Sequence, residues 1–292
     1  MKIIIWGHKL HSHTHSYIHN AFYLAFRDLG YDTYWMDDKD NLDGLDLSDS
    51  LFLTEGQVCK NMPIIKGCAY ILHNCYDDAL WDSINKQDVN YLKIQVYTDD
   101  VLQYVTEKLE PCIHYDKLGK ILYIPWATDL LPNQINPDIY QPRVNKTYWV
   151  GTMGDSVFGN KPELSGFIRA CKENGVSFEH ANNLSIEENR RVIAESYLAP
   201  AIVGSWQKAK GYIPCRIFKN ISYGQFGITN SLRVNELFDG KLIYADNEYD
   251  LFKLMMDKMA TSEYEGERIE LIKFVREHHT YINRIKTILS CL

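Results

Sequence analysis

The sequence predicts an α/β protein made of two doubly wound domains, each built around a parallel sheet. Short runs of β-branched and aromatic residues alternate with helical patterns, which is typical of parallel strands joined by right-handed crossovers. The alternation is interrupted by a stretch rich in Pro and Asn, near residues 132–146, and then restarts. Because open parallel sheets bind ligands at the carboxyl ends of their strands, we expect the two domains to face each other across a cleft.

Eleven strands are expected, six before the interruption and five after it. They are Lys2–Trp6, Thr33–Met36, Ser50–Thr54, Ala69–His73, Lys93–Tyr97, Ile121–Ile124, Thr147–Val150, Ser177–His180, Ala201–Val203, Phe226–Thr229 and Lys241–Tyr244. Helical patterns fill the gaps, and a long amphipathic segment with a potential break closes the chain. These segments are Tyr17–Leu29, Asp99–Lys108, Lys161–Glu173, Ile186–Ser196, Pro214–Tyr223, Glu248–Met259 and Tyr264–Leu292.

Composition and charge narrow the class of protein. The chain has 292 residues, of which 46% are hydrophobic and 24% charged, which suits two globular domains with sizeable cores. No apolar run approaches the ~20 residues of a membrane span, and the N-terminus predicts a strand rather than a signal peptide. Seven Cys without a secretory signal predict reduced thiols and a cytoplasmic location. A net charge of −7 argues against nucleic acid as a partner.

A stretch without acidic residues stands out in the second half. Residues 196–235 contain no Asp or Glu but five basic residues, which predicts a local site for an anion. Pro214 suits the first turn of a helix, and Arg216 and Lys219 are spaced to share one face of it. A phosphate at the helix N-terminus would explain cations where the helix dipole disfavours them. A solvated basic face is the alternative.

Loops after the other strands of the second half supply further candidate ligand contacts. Small residues allow backbone amides to approach a phosphate, an aromatic ring can stack on a base or sugar, and a carboxylate suits ribose hydroxyls. Ordinary turns, core packing and a surface helix are the corresponding structural alternatives. The candidates are Gly151, Thr152, Ser205, Trp206, Tyr212, Asn230, Ser231 and Glu236.

Five histidines follow the first strand and run into the first helix. They are His8, His11, His13, His15 and His19. One of them could be a general base, since imidazole titrates near neutral pH. His11, His13 and His15 could instead bind a metal, or the group could be ordinary polar loop residues. Glu55 and Asp38, at the ends of later strands, are carboxylates that could serve as base or hold a hydroxyl.

The second half resembles the donor-binding domain of GT-B glycosyltransferases, and is most similar to the spore-maturation-like and group 1-like members. The resemblance covers residues 147–250, and the first half resembles the family by topology. It rests on Arg216, a helix ending at Gly224, a strand, the polar turn at Asn230 and Ser231, and then Glu236. Many members have a glutamate where this chain has Lys219. In those members the glutamate contacts the ribose of the donor. Here another residue, such as Glu236, must make that contact, or the helix offers the diphosphate an extra cation.

The resemblance implies an arrangement of domains and a reaction. It implies an N-terminal acceptor-side Rossmann-like domain (1–140), a C-terminal donor-binding Rossmann-like domain (141–262), and a final helix (263–292) that packs back on the first domain. A hexosyl or pentosyl group would pass from a nucleoside-diphosphate sugar to a hydroxyl of a glycan or glycoconjugate. Arg216 and Lys219 would offset the diphosphate charge without a metal, and no other cofactor is expected. His15, or else His13, would be the base.

Three other functions remain open at this point. A metal-dependent hydrolase would use His11, His13 and His15 with later ligands such as His73, His114 or His180. A module that binds a nucleotide or a glycan without turnover would need only the donor site. A nucleotide-sugar epimerase is compatible with the same fold, because fold alone does not decide function.

Overall fold

The computed structural model has the predicted α/β class and divides into two compact units. It describes residues 1–9, 14–55, 61–74, 83–84, 86–87, 89–97, 112–116, 119–139 and 143–292. The first unit comprises the described residues of Met1–Val96 and Leu109–Leu131 together with Tyr281–Leu292. The second comprises those of Tyr97–Lys108 and Pro132–Thr280. No helix in these described ranges is long and apolar enough to cross a membrane.

The first unit contains a seven-stranded sheet with strand order β2-β1-β3-β4-β5-β7-β6. Its elements are β1 (Lys2–Trp6), α1 (Thr14–Asp28), β2 (Thr33–Met36), β3 (Ser50–Glu55), β4 (Ala69–His73), β5 (Asn90–Gln95), β6 (Cys112–Asp116) and β7 (Gly119–Tyr123). Strand β3 is buried along its whole length, and β1 and β4 are buried except at their first residue. Such continuous apolar runs are typical of parallel strands covered on both faces.

Six strands of this sheet were expected, and the structure adds β6, which pairs antiparallel with β7. Strand β6 lies at the end of the strand order, so it has a neighbour on one side only. An edge strand needs no continuous apolar run, and the sequence pattern therefore missed it. Strands β5 and β7 begin and end earlier in the chain than expected. The expected helix Asp99–Lys108 lies outside the described residues.

The second unit is built from two short parallel strand pairs and seven helices among the described residues. Its elements are β8 (Lys146–Val150), α2 (Lys161–Glu173), β9 (Ser177–Ala181), α3 (Ile186–Glu195), α4 (Ser205–Ala209), α5 (Cys215–Ser222), β10 (Ile228–Thr229), α6 (Leu232–Leu237), β11 (Ile243–Tyr244), α7 (Asp250–Met259) and α8 (Tyr264–His278), with a 3₁₀ turn at Pro132–Gln134. Strand β8 pairs with β9, and β10 pairs with β11. Helices α4 and α6 were not expected, because they are only five and six residues long.

The expected strand Ala201–Val203 forms a single parallel bridge, between Ala201 and Thr229. A side chain continues the pairing beyond it. Asn230 Oδ1 accepts a hydrogen bond from the Val203 backbone N–H at 2.9 Å, and Asn230 Nδ2 donates to the Val203 carbonyl at 2.9 Å. The amide thus satisfies the backbone groups that a longer strand would have paired.

The long C-terminal segment is broken, as the sequence allowed. Helix α8 ends at His278, and α9 (Tyr281–Cys291) belongs to the first unit, where it packs against α1. The ring of Tyr281 meets Phe22 edge-on at 4.7 Å. The buried Arg284 donates to the carbonyls of Pro125 and Trp126, and burial lowers its pKa to about 9.

Candidate functional site

A tight turn directly after β1 positions the first group of polar side chains. Gly7 and His8 both have left-handed backbone conformations, with φ of 87° and 54°. The Gly7 carbonyl accepts hydrogen bonds from His19 Nδ1 at 2.8 Å and from Trp35 Nε1 at 2.9 Å. A left-handed histidine is uncommon, and the two donors on the preceding carbonyl hold it in place. The turn directs the His8 ring toward the end of β3.

Glu55, the last residue of β3, joins two imidazoles. Its Oε2 contacts His8 Nε2, and its Oε1 lies 2.8 Å from His15 Nδ1. The other ring nitrogen of His15, Nε2, lies 2.9 Å from the Asn74 side-chain amide, just beyond β4. Burial raises the pKa of the Glu55 carboxyl, but the contacts with His15 and His8 outweigh burial and bring the pKa below its usual range. Glu55 is therefore a carboxylate at neutral pH.

Two further histidines lie beneath this group and are fully buried. His19 Nε2 and His73 Nε2 are 2.8 Å apart. Because His19 donates to Gly7 through Nδ1, neutral His19 accepts at Nε2, and His73 is the donor of this bond. Burial lowers the pKa of His19 to about 3 and that of His73 well below its usual value, with neighbouring imidazoles acting in the same direction. Both rings are thus neutral supports.

The structure brings some of the expected first-half residues together and not others. His15 and Glu55 lie in contact, whereas His11 and His13 are outside the described residues. His8 was not among the favoured catalytic residues, although its position directly after a strand and a glycine was a usable signal. Asp38 lies apart from this group and accepts a hydrogen bond from Trp6 Nε1 at 2.8 Å.

The additional ligands considered for a hydrolase are also separated. His73 lies beneath the group, bonded to His19. His114 lies in β6, whose side chains are not described. His180 belongs to the second unit, where its Nε2 lies 2.6 Å from the Gly151 carbonyl oxygen.

In the second unit, Arg216 lies at the carboxyl end of β8. Its guanidinium sits 3.7 Å from the centroid of the Trp149 ring, and Nη1 donates to the Val150 carbonyl at 2.7 Å. A Cβ at Gly151, where φ is 109°, would lie 3.3 Å from Nη2, so a side chain there would crowd the guanidinium. Burial lowers the pKa of Arg216 to about 10, which leaves it charged at neutral pH. No carboxylate in the described part of the chain pairs with it.

Helix α5 begins one residue later than expected, with Pro214 as its N-cap residue. Arg216 lies in its first turn and Lys219 in its last. The helix buries Ile217, Phe218 and Ile221 on its other side. The two cations therefore extend from the face that the core does not use.

Two of the expected aromatic contacts belong to one group of rings. Tyr212 stacks on Tyr97 with centroids 4.7 Å apart, and Trp206 lies 5.2 Å from Tyr97. Phe158, which is 59% exposed, meets Trp206 edge-on at 4.7 Å. The rings form an accessible aromatic surface, which could stack on a planar group.

The other expected donor contacts have structural partners in this unit. Ser205 donates to Glu163 Oε1 from both its backbone N–H and its hydroxyl, at 2.8 and 2.5 Å. The Thr152 carbonyl accepts from Trp149 Nε1 at 3.4 Å. The Ser231 hydroxyl accepts from Val234 N–H as the N-cap of α6.

Two carboxylates differ in how they are held. Glu236 is exposed on α6 and lies 3.9 Å from Arg233. Glu248 follows β11 and is only 14% exposed; its Oε1 accepts from Asn230 Nδ2 at 2.7 Å and lies 3.7 Å from Lys208 Nζ. The sequence placed Glu248 in the following helix, so its position at a strand end was missed.

Replacing Asn230 tests whether its amide is structural. In Asn230→Ala, the Val203 N–H and carbonyl and the Glu248 carboxylate all lose a buried partner, and we expect a loss of about 1–3 kcal/mol in unfolding free energy. Urea unfolding of this variant, with the exposed Asn133→Ala as control, measures it. Wild-type stability in Asn230→Ala would contradict the structural role.

The depressed pKa of His19 predicts a specific dependence of stability on pH. The unfolded chain binds a proton near pH 6.5, whereas folded His19 resists protonation down to about pH 3. The contribution of His19 to the unfolding free energy is therefore constant well above pH 6.5 and falls as the pH decreases through and below it, by about 2 kcal/mol at pH 5.

His19→Asn retains a donor for the Gly7 carbonyl and removes this titration. The difference in unfolding free energy between pH 7 and pH 5 should therefore shrink by about 2 kcal/mol in His19→Asn. The exposed His180→Asn serves as the matched control and should keep the wild-type difference. An unchanged difference in His19→Asn would show that His19 protonates freely in the folded protein.

Comparison with known proteins finds similarity in structure alone. No family model and no curated protein matches the chain. An alpha-glucosyltransferase in complex with UDP and a 13-mer DNA containing a HMU base matches with a TM-score of 0.65 at 10% identity, over 100% of this chain and 99% of that one. A structure from E. coli, trehalose-6-phosphate bound with UDP-2-fluoro glucose, matches with a TM-score of 0.54 at 8% identity, over 99% of this chain and 98% of that one.

A third solved structure agrees with these two. An alpha,alpha-trehalose-phosphate synthase (UDP-forming) from Burkholderia xenovorans, in complex with glucose-6-phosphate, matches with a TM-score of 0.51 at 8% identity, over 97% of this chain and 80% of that one. The resemblance to GT-B glycosyltransferases is thus confirmed as a similarity of fold.

Proposed function

We propose that the protein is a glycosyltransferase that moves a sugar from a nucleoside-diphosphate donor to an acceptor hydroxyl. The observation that carries this proposal is Arg216, a partly buried cation at the end of a parallel strand with no carboxylate partner among the described residues. Burying a cation is unfavourable unless an anion compensates it. A diphosphate at the carboxyl end of this strand supplies that anion, and the fold resembles that of structures solved with UDP and with UDP-2-fluoro glucose.

The two cations of α5 then have complementary roles. Arg216 still has N–H groups beyond the one given to Val150, and it binds phosphate oxygens through them. Lys219, one turn farther along the same helix, adds a second positive charge. Together they offset the charge that develops on the leaving diphosphate, so transfer needs no metal ion.

We assign contacts with the base, the sugar and the ribose of the donor to residues near neighbouring strand ends. The aromatic surface of Trp206 and Tyr212 stacks on the base or the sugar. Glu248 is a better candidate than Glu236 for the ribose hydroxyls, because it is held by Asn230 at the carboxyl edge while Glu236 is exposed on α6. Gly151 keeps the backbone after β8 close to Arg216.

His15 is the proposed proton acceptor of the first unit. Glu55 holds its Nδ1 and stabilises the imidazolium that forms, while Nε2 takes the proton from the acceptor hydroxyl in place of the Asn74 amide. Glu55 is itself a weak base, because its pKa is depressed. We therefore assign it to orientation.

The acceptor can be of two kinds. A glycan or glycoconjugate hydroxyl is the first candidate, since the chain carries a net charge of −7. DNA is the second, because the structure with TM-score 0.65 over both full lengths is a complex with DNA containing a HMU base. Transfer assays with oligosaccharides and with such a 13-mer decide between them.

Removing either cation of α5 tests the donor site. We expect Arg216→Ala and Lys219→Ala each to weaken UDP binding by about 1.5–3 kcal/mol while changing uridine binding little, because the lost interaction is with the diphosphate. Calorimetric titration of both ligands measures this, and the exposed Lys253→Ala in the same unit is the control. Unchanged UDP affinity in both folded variants would overturn the donor-site assignment.

Replacing His15 tests the proposed base. We expect His15→Ala to lower kcat by about 10²–10⁴-fold with little change in donor affinity, because the proton acceptor is lost. Asp28→Ala, exposed at the other end of α1, is the control. If His15→Ala retains kcat while Glu55→Ala or Asp38→Ala abolishes it, the base is a carboxylate.

Chelation tests the absence of a metal requirement. We expect turnover to persist in EDTA, because side-chain cations supply the charge that a metal would otherwise provide. Steady-state rates with and without EDTA measure this. A loss of turnover that Mg²⁺ or Zn²⁺ restores would favour the metal-dependent alternatives.

A further inference from the structure

We propose that His8, His15 and Glu55 form a binding site for a divalent metal ion of the zinc class. His8 and His15 each offer a ring nitrogen and Glu55 a carboxylate oxygen, and these ligand atoms all lie within 4.8 Å of one another. Two imidazoles and one carboxylate are a donor set that zinc uses in proteins, with further positions left for water.

The three ligands come from separate elements that the fold fixes independently. Glu55 ends β3, which pairs with β1 in a register that sets Trp6 beside Thr54. His8 follows the turn whose Gly7 carbonyl is held by His19 and Trp35. His15 lies in the first turn of α1. The ligands are therefore brought together by folding, as an ion-binding site requires.

Exposure of the three side chains suits an ion that enters from solvent. The side chains of His8, His15 and Glu55 are 10%, 14% and 6% exposed. This leaves a narrow approach while excluding most competing water. A carboxylate ligand such as Glu55 also neutralises one of the two charges of the ion.

The two neighbouring histidines, His19 and His73, support the site and are not ligands. His19 uses Nδ1 for the Gly7 carbonyl and Nε2 for His73, so neither of its nitrogens can coordinate without breaking a buried hydrogen bond. His73 uses Nε2 in the same bond, and it does not belong to the cluster whose ligand atoms lie within 4.8 Å of one another. These two rings therefore pack beneath the site, and they meet His8 and His15 edge-on at 5.3 and 5.1 Å.

Asn74 supplies the outer contact that metal-bound imidazoles require. When His15 Nδ1 coordinates an ion, its proton moves to Nε2, which then donates to a neighbouring acceptor. The Asn74 amide, 2.9 Å from Nε2, presents its oxygen after a rotation of the side-chain amide. One residue thus serves both protonation forms of the ring.

Metal binding has a consequence for transfer that rests on the proposed function. The ion takes the Glu55 carboxylate and His15 Nδ1, which orient the proposed base, and it leaves a proton on Nε2, which then cannot accept one from the acceptor hydroxyl. Zinc should therefore inhibit transfer, and EDTA should restore it. This inhibition does not conflict with turnover in EDTA, because the transfer step itself uses no metal.

Calorimetric titration of the full chain with ZnCl₂ tests the site. We expect one ion per chain, with affinity reduced in His8→Ala, His15→Ala and Glu55→Gln by more than the roughly 10–100-fold that loss of an outer partner causes. Asn74→Leu should fall within that smaller range. His180→Ala removes an exposed imidazole from the second unit and should leave the affinity unchanged. Thermal unfolding of each variant without metal shows that it is folded.

The possible results separate this proposal from the proposed function. Absence of saturable zinc binding, or equal affinity in wild type and the three folded ligand variants, overturns the metal site. Lower turnover in His15→Ala would still support the base in that case. Zinc binding that requires all three ligands but leaves transfer unaffected supports the metal site and overturns the base assignment.

Discussion

Parallel strand pairing is the constraint on which both candidate sites depend. All strand pairs in the described residues are parallel except β6 with β7. The segments that follow the parallel strands of a sheet therefore emerge at one edge of it. In the first unit this edge collects His8, Glu55 and Asn74, from the ends of β1, β3 and β4. In the second unit the Gly151 loop follows β8 and Glu248 follows β11, at the carboxyl ends of two separate parallel strand pairs.

The two sites differ in whether the protein itself compensates their buried charge. Glu55 is a buried carboxylate satisfied within the protein, by two imidazoles. Arg216 is a partly buried cation that the described residues satisfy only with a carbonyl oxygen and an aromatic face. The first arrangement is complete without a ligand and suits orientation of a proton acceptor or capture of a cation. The second favours an incoming anion, and this asymmetry supports a donor bound through its diphosphate.

The residue pattern predicted the α/β class, the apolar strands and the placement of Arg216 and Lys219 on one face of a helix, since these follow from local periodicity. It also placed His15 near the start of the first helix and Glu55 at the end of a strand, although their mutual contact depends on strand order. Contacts set by tertiary structure were beyond it. Glu248 is held by Asn230 across two strand ends, and Asp38 is directed to the Trp6 indole. No sequence spacing encodes either contact.

The central claim, transfer from a nucleoside-diphosphate sugar, is tested most directly by phosphorus NMR of the donor. The wild-type chain is incubated in EDTA with UDP-glucose and with other nucleoside-diphosphate sugars, with and without acceptor mixtures. The account predicts that one donor is converted to free nucleoside diphosphate at a rate that rises when its acceptor is added. A donor that binds saturably but stays intact with every acceptor would contradict the account and indicate a binding module instead.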